Sequence, residues 1–261
     1  MRLPIDIDHL LHRFDSPDTH AIVLMGSYAR GDAGLFSDID LVRFVAATAQ
    51  PPDTGSHLID DHLLVVSNVV PGEVERWFAE PDVAVEVIAG IRSAQPLVDR
   101  NGYFATIQAQ AHAFVWDATM QDRANRWASA QMVGWIEEVG KGLEGLRRDD
   151  VGRMLNARHG CSWGLARVLL VQRGVLVAGD NAFFDALTQA VGLHSEWARL
   201  RDLAFGVVDT HGMTRTLRDQ VRAGLQLYVV TAELLADALQ PHDAPLIAHT
   251  VATIKQHLPI L

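Results

Sequence analysis

The spacing of apolar positions changes character twice along the chain. Ile5, Leu10, Leu11 and Phe14 recur at roughly helical steps, predicting a short helix within residues 1–20 and a turn at Ser16-Pro17-Asp18. Two apolar runs follow: Ala21-Ile22-Val23-Leu24, and Leu41, Val42, Phe44 and Val45, interrupted only at Arg43. Short runs of this kind predict buried strands. Residues 46–56, with Pro51, Pro52, Asp53 and Gly55, predict an exposed loop, and residues 58–70 a further strand. Pro71-Gly72-Glu73 opens a helix through Trp77 and Phe78 that stops near Pro81, because Pro suits a first turn and an acid complements its dipole. The β-branched alternation of Val83-Ala84-Val85-Glu86-Val87-Ile88-Ala89-Gly90 predicts another strand. From Leu97 to Phe104 the chain reads as a strand end, a turn at Asn101-Gly102 and a helix start.

Past Trp116 to Gln121 the period becomes helical throughout. Trp127, Val133, Ile136, Val139, Leu143 and Leu146 recur at three- and four-residue steps, as do Leu165, Val168, Leu169 and Gln172. Asn181 can cap a helix containing Phe184, Leu187 and Val191, a long helix carries Leu217, Val221, Leu225, Tyr228 and Leu235, and a shorter one spans Ala244 to Leu258. The expected architecture is an α/β (α+β) domain with a short mixed sheet over residues 1–118, followed by an all-α bundle of five or six helices over 119–261.

Composition narrows the function classes. The 261 residues are 49% apolar, enough for a real core, and Cys161 is the only cysteine, which excludes an intrachain disulfide and a cysteine-rich zinc site. The twelve histidines form no zinc-type cluster. With 22 basic against 32 acidic residues, the net charge of −10 argues against a grip on a nucleic-acid backbone and favours a small or cationic acceptor. The N-terminus lacks the apolar stretch of a signal peptide, and Val168 to Val177 is interrupted by Gln172 and Arg173. The expectation is a cytoplasmic protein with no membrane association.

The chemistry concentrates between the first two strands, in Met25-Gly26-Ser27-Tyr28-Ala29-Arg30-Gly31-Asp32-Ala33-Gly34-Leu35-Phe36-Ser37-Asp38-Ile39-Asp40-Leu41. Strand alternation puts Asp38 and Asp40 on one face. Two carboxylates so held are costly unless a cation lies between them, and hard oxygen donors suit Mg²⁺, hence a phosphate-bearing substrate. Gly26 lets the backbone approach a ligand closely, and Ser27 supplies a hydroxyl and an N–H where a short helix begins.

Gly26-Ser27, ten residues, then Asp38-Ile39-Asp40 resembles the signature of the DNA polymerase beta-like nucleotidyltransferase superfamily. Ala29-Arg30-Gly31-Asp32 with Ser37-Asp38-Ile39-Asp40-Leu41 is similar to its minimal and antibiotic-modifying members. The resemblance implies a nucleotidyltransferase domain in which Asp38 and Asp40 hold Mg²⁺ and Gly26 and Ser27 cradle the phosphates of a nucleoside triphosphate, with Arg30 and Ser37 in support. It also implies a third carboxylate on a later strand, and Glu86 is the residue that matches, as metal ligand or as base; the plainer reading of Glu86 is an edge strand with one wet face. Asp99 resembles the "strand, Asp, turn, Gly, helix" passage that closes the catalytic domain of the antibiotic enzymes, although Asn101-Gly102 alone explains that turn. The implied reaction is AMP transfer from ATP to a hydroxyl of a small acceptor, aminoglycoside- or lincosamide-like and so connected with antibiotic resistance, with release of pyrophosphate and the acceptor between the two domains. Arg153, Arg158 and Arg167 are candidates to reach nucleotide phosphates. Alternative readings are an antitoxin-type AMP transferase acting on a protein or RNA, and a non-catalytic nucleotide-binding module.

Overall fold

The computed structural model describes residues 3–48, 54–207 and 216–258. They form two compact units: residues 1–116 with 176–182, and residues 117–175 with 183–261. The chain therefore enters the first unit a second time, over seven residues that the division at 118/119 does not anticipate.

In the first unit, α1 (Ile7–Phe14) precedes β1 (Thr19–Met25), a five-residue helix α2 (Gly26–Arg30) and β2 (Ile39–Val45). The region expected as one strand over 58–70 is a hairpin of β3 (Gly55–Ile59) and β4 (His62–Val69), turned at Asp60 and Asp61, both of which have positive φ. Part of the expected loop at 46–56 lies outside the described residues. Helices α3 (Pro71–Ala79) and α4 (Pro81–Ser93) come next, then β5 (Gln95–Asp99) and α5 (Tyr103–Ala113). The sheet order is β3-β4-β2-β1-β5, mixed because β2 and β4 run parallel while the other pairs are antiparallel.

Both sheet faces are covered, which is why β1 and β2 read as largely continuous apolar runs rather than alternating ones. One face packs Val23, Val42 and Phe44 against Trp77, Ile88 and Phe104 from α3, α4 and α5. The other packs Ile22, Leu24, Ile39 and Leu41 against Leu10 and Phe14 of α1. Arg43 is also almost fully buried on the second face; it donates to Asn68 Oδ1 (2.9 Å) and to the Phe14 carbonyl (3.2 Å), so its charge is distributed over fixed acceptors.

The strand expected over 83–90 is helix α4. Pro81 occupies its first turn, Asp82 complements the N-terminal dipole, and Ala84, Val85, Ile88 and Ile91 form a buried stripe at helical spacing. The valines' β preference yields to that stripe, which covers the sheet only in helical form.

The described part of the second unit contains no strand, and it holds eight α-helices where five or six were expected: α6 (Ala118–Gly134), α7 (Ile136–Arg148), α8 (Val151–His159), α9 (Leu165–Gln172), α10 (Phe183–Val191), α11 (Glu196–Phe205), α12 (Leu217–Leu234) and α13 (Ala244–His257). The excess arises partly from breaks between helices that follow directly on one another. Gly160–Gly164 forms a π-helical turn joining α8 to α9. Trp135 lies against it so closely that a Cβ at Gly164 would come within 2.2 Å of the indole ring. Several buried polar groups in this unit are paired: Trp197 Nε1 donates to Thr231 Oγ1 (3.0 Å), Tyr228 to the Met132 carbonyl (3.0 Å), and Ser129 to Asp243 (2.6 Å). Cys161 is fully buried, and burial pushes its thiol up to about 12, which leaves it inert as a nucleophile.

Candidate active site

The turn from β1 into α2 is made by Gly26 at φ +65, a left-handed conformation that disfavours any side chain. The preceding Met25 gives no side-chain cap to the first turn of α2, and Gly31, also left-handed, ends the helix by donating its N–H to the Ser27 carbonyl. The close approach matters more than the dihedral. A Cβ at Gly26 would lie 2.1 Å from Asp40 Oδ2, so the Asp40 carboxylate rests directly on the glycine backbone.

Asp40 reaches that position because β2 pairs with β1 in a register that sets it opposite Met25. It shares the sheet face of Val42 and Phe44, at the strand's open end. Asp38 stands two residues earlier, beyond the fully buried Ile39. Partial burial pushes the Asp40 carboxyl above its ordinary range, the negative charge of Asp38 pushes it further, and the nearby Arg30 opposes both.

A cavity of about 750 Å³ opens over these groups, lined by Gly26, Ser27, Arg30, Ser37, Asp38 and Asp40 on one side and by Ala178 to Ala182 on the other. All of these residues belong to the first unit. The loop leading to Asp38 is a closed turn in which Gly34 N–H donates to Ser37 Oγ (2.9 Å) and Ser37 N–H to the Gly34 carbonyl (3.2 Å), and its tip projects Leu35 and Phe36 into solvent. Ser37 thereby shapes the rim. Arg30 donates through Nε to Asp32 (3.2 Å) and through Nη1 to the Ala178 carbonyl (2.7 Å).

Gly26, Ser27, Arg30, Ser37, Asp38 and Asp40 are thus brought together. Glu86 is not. It lies on an exposed position of α4, away from the buried stripe, and does not line the cavity. The strand beside Asp40 offers no substitute, since the parallel register pairs Asp40 with Val65. Among the described residues no group of three or more His, Cys, Asp or Glu side chains is placed to hold a metal ion. The expected three-carboxylate arrangement is corrected to a pair. Asp99 has a structural role: its carboxylate accepts from Phe104 N–H (2.8 Å) and Ala105 N–H (3.1 Å), capping α5. The three candidate arginines are engaged within the second unit, Arg153 with Asp150 (3.3 Å), Arg158 with Gln220 (2.9 Å), and Arg167 over the Trp127 ring.

With this geometry in place, residues 8–86 match the family model described as a nucleotidyltransferase domain. Over these residues the chain is similar to nucleotidyltransferase domains, the resemblance that Gly26-Ser27 and Asp38-Ile39-Asp40 carry. The match spans α1 to α4 and so includes the Gly26–Asp40 contact. Among solved structures, the chain is similar to a nucleotidyltransferase-like protein from Exiguobacterium sibiricum 255-15, at 13% identity and a TM-score of 0.49, covering 91% of this chain and 72% of that one. No curated protein matches. The domain's general chemistry is nucleotidyl transfer, and among the described residues no helix is long and apolar enough to cross a membrane.

The segment 178–182 is the part of the site that sequence reasoning missed. The sequence offers there only Asn181 as a helix cap, and the segment's tie to α2 runs through the Ala178 carbonyl, a backbone atom without any sequence signature.

Proposed function

We propose that this nucleotidyltransferase domain transfers AMP from ATP to a hydroxyl of a small acceptor, with Mg²⁺ held by Asp38 and Asp40. The observation that carries this reading is the Asp40 carboxylate seated on Gly26 with Asp38 as its like-charged neighbour. Two oxygen donors whose mutual repulsion is relieved only by a cation suit a hard divalent ion. When bound, such an ion supplies positive charge against the phosphoryl oxygens of the transition state.

The chain's own residues divide the remaining work. Gly26, having no side chain, admits the β- and γ-phosphates to the start of α2, where the backbone N–H groups and the Ser27 hydroxyl are available to them. Asp38 and Asp40 would hold the cation beside the phosphates, where it would supply positive charge. The acceptor oxygen forms its bond to the α-phosphorus as the bond from that phosphorus to the α–β bridging oxygen breaks and pyrophosphate leaves, and the acceptor's hydroxyl proton passes to water in the open cavity. Gly34 and Ser37 hold the loop that carries Asp38, so the pair is preorganised by the fold.

A small acceptor of aminoglycoside or lincosamide type is favoured by the acidic character of the cavity, where Asp32, Asp38, Asp40 and Asp180 outnumber Arg30. The test is a screen of nucleoside triphosphates for pyrophosphate release, with and without aminoglycosides and lincosamides. The expected result is metal-dependent release with ATP that rises when an acceptor is present. Release that needs a protein or RNA instead would move the proposal to an antitoxin-type AMP transferase, and no release under any condition would leave a binding module.

A further inference from the structure

We infer that Arg30 is a positioning residue: it fastens residues 178–182 as the second wall of the cavity, and that wall serves the acceptor rather than the triphosphate. This rests on the nucleotidyl-transfer reading above and assigns a role to a segment that reading does not use.

The fastening is geometric. Arg30 is the last residue of α2, and 23% of its side chain is exposed. Its Nη1 donates to the Ala178 carbonyl at 2.7 Å, a short bond from a charged donor. The guanidinium lies against the next residue, since a Cβ at Gly179 would come 3.4 Å from Nη1. A second tie stands just before it, where Val177 N–H donates to the Val85 carbonyl of α4 at 2.8 Å. Beyond these ties the segment closes a turn, Ala182 N–H donating to the Gly179 carbonyl at 3.0 Å, and Asp180 and Asn181 line the cavity. Two ties and one turn fix the backbone of the wall, and only the Arg30 tie comes from a side chain that a substitution can remove.

Charge assigns the wall to the acceptor. The phosphate end of the cavity is defined by Gly26, Ser27 and the Asp38–Asp40 pair. Asp180 adds a carboxylate on the facing wall, and a carboxylate against a polyanion is unfavourable at close range. A hydroxyl-bearing acceptor, by contrast, can donate to Asp180 and to Asn181.

Two measurements on the full chain test this. Hydrogen–deuterium exchange should show amides of residues 177–182 opening at least about tenfold faster in Arg30→Ala, with β1 and β2 unchanged and Arg30→Lys in between. Unchanged exchange at 177–182 overturns the fastening, and faster exchange across β1 and β2 as well overturns it too, because Arg30 would then be supporting the whole unit. Titration with Mg²⁺ and a non-hydrolysable ATP analogue should give an affinity within about threefold of wild type for Asp180→Asn. A loss beyond about tenfold places the wall on the triphosphate and overturns the assignment. A wild-type chain that does not bind the analogue refutes nucleotidyl transfer itself, and with it the acceptor role of the wall; the exchange result then decides the fastening alone.

Discussion

Asp40 and Asp243 are both aspartates drawn in from the surface, one in each unit, and they are treated in opposite ways. Asp243 is 7% exposed and receives a hydrogen bond from Ser129 Oγ at 2.6 Å, while Ser129 Oγ accepts from the Gln240 backbone N–H. It is a closed hydrogen-bonded corner. Asp40 is half-buried, faces another carboxylate, and is pressed onto a glycine; its surroundings raise its proton affinity. The first arrangement stabilises a fold. The second stores unfavourable electrostatics that a bound cation relieves, the usual relation between a functional site and the stability of its scaffold.

The largest break in this contrast comes from Gly26→Ala. The new methyl would displace the Asp40 carboxylate while forcing alanine to a positive φ, so we expect pyrophosphate release to fall by at least about 10²-fold and stability by about 1–3 kcal/mol in urea unfolding. Wild-type turnover in this variant would show that the contact is incidental. Ser129→Ala leaves Asp243 without its buried donor and should cost about 1–3 kcal/mol, with transfer otherwise unaffected in the folded fraction. A melting temperature equal to wild type would show that Asp243 is satisfied elsewhere.

Asp40→Asn should separate function from stability. The folded-state pKa of Asp40 lies above the ordinary value of 3.8, so the folded chain binds this proton more tightly than the unfolded chain does. Its contribution to stability is therefore most favourable below that pH and declines as pH rises through the folded pKa, leaving the ionised group a cost at neutrality. Removing the charge should raise the melting temperature at pH 7 by on the order of 1–3 °C and steepen its acid limb, while abolishing transfer. A lower melting temperature in Asp40→Asn would contradict the electrostatic account. The smallest effect is expected from Glu86→Gln, a change at an exposed helical position outside the cavity, within about 0.5 kcal/mol of wild type and with transfer retained. A marked fall in turnover would return Glu86 to the active site.

How legible each feature was in the sequence followed from its range. The Gly26-Ser27 and Asp38-Ile39-Asp40 groups fall within fifteen residues between two apolar runs, so local rules suffice to bring them together. Residues 83–90 satisfy both a strand and a helix period, and the deciding signals, Pro81 and Asp82, lie just upstream of the run. The Asp60-Asp61 turn was similarly concealed inside what reads as one apolar strand; two acids at positive φ fold it into a hairpin. Arg43 looks like a polar interruption, and its burial makes sense only through the β2–β4 register that brings Asn68 alongside. The return of 176–182 depends on backbone atoms more than eighty residues from their partners, a relation no local pattern encodes.

The central claim, that Asp38 and Asp40 hold a cation for a triphosphate seated at Gly26, is tested most directly by calorimetric titration of a non-hydrolysable ATP analogue into wild type and Asp40→Asn, with and without Mg²⁺. The account predicts binding to wild type that requires the metal and a loss of at least about tenfold in the variant. Binding that is indifferent to the metal, or equal in the two proteins, would contradict it.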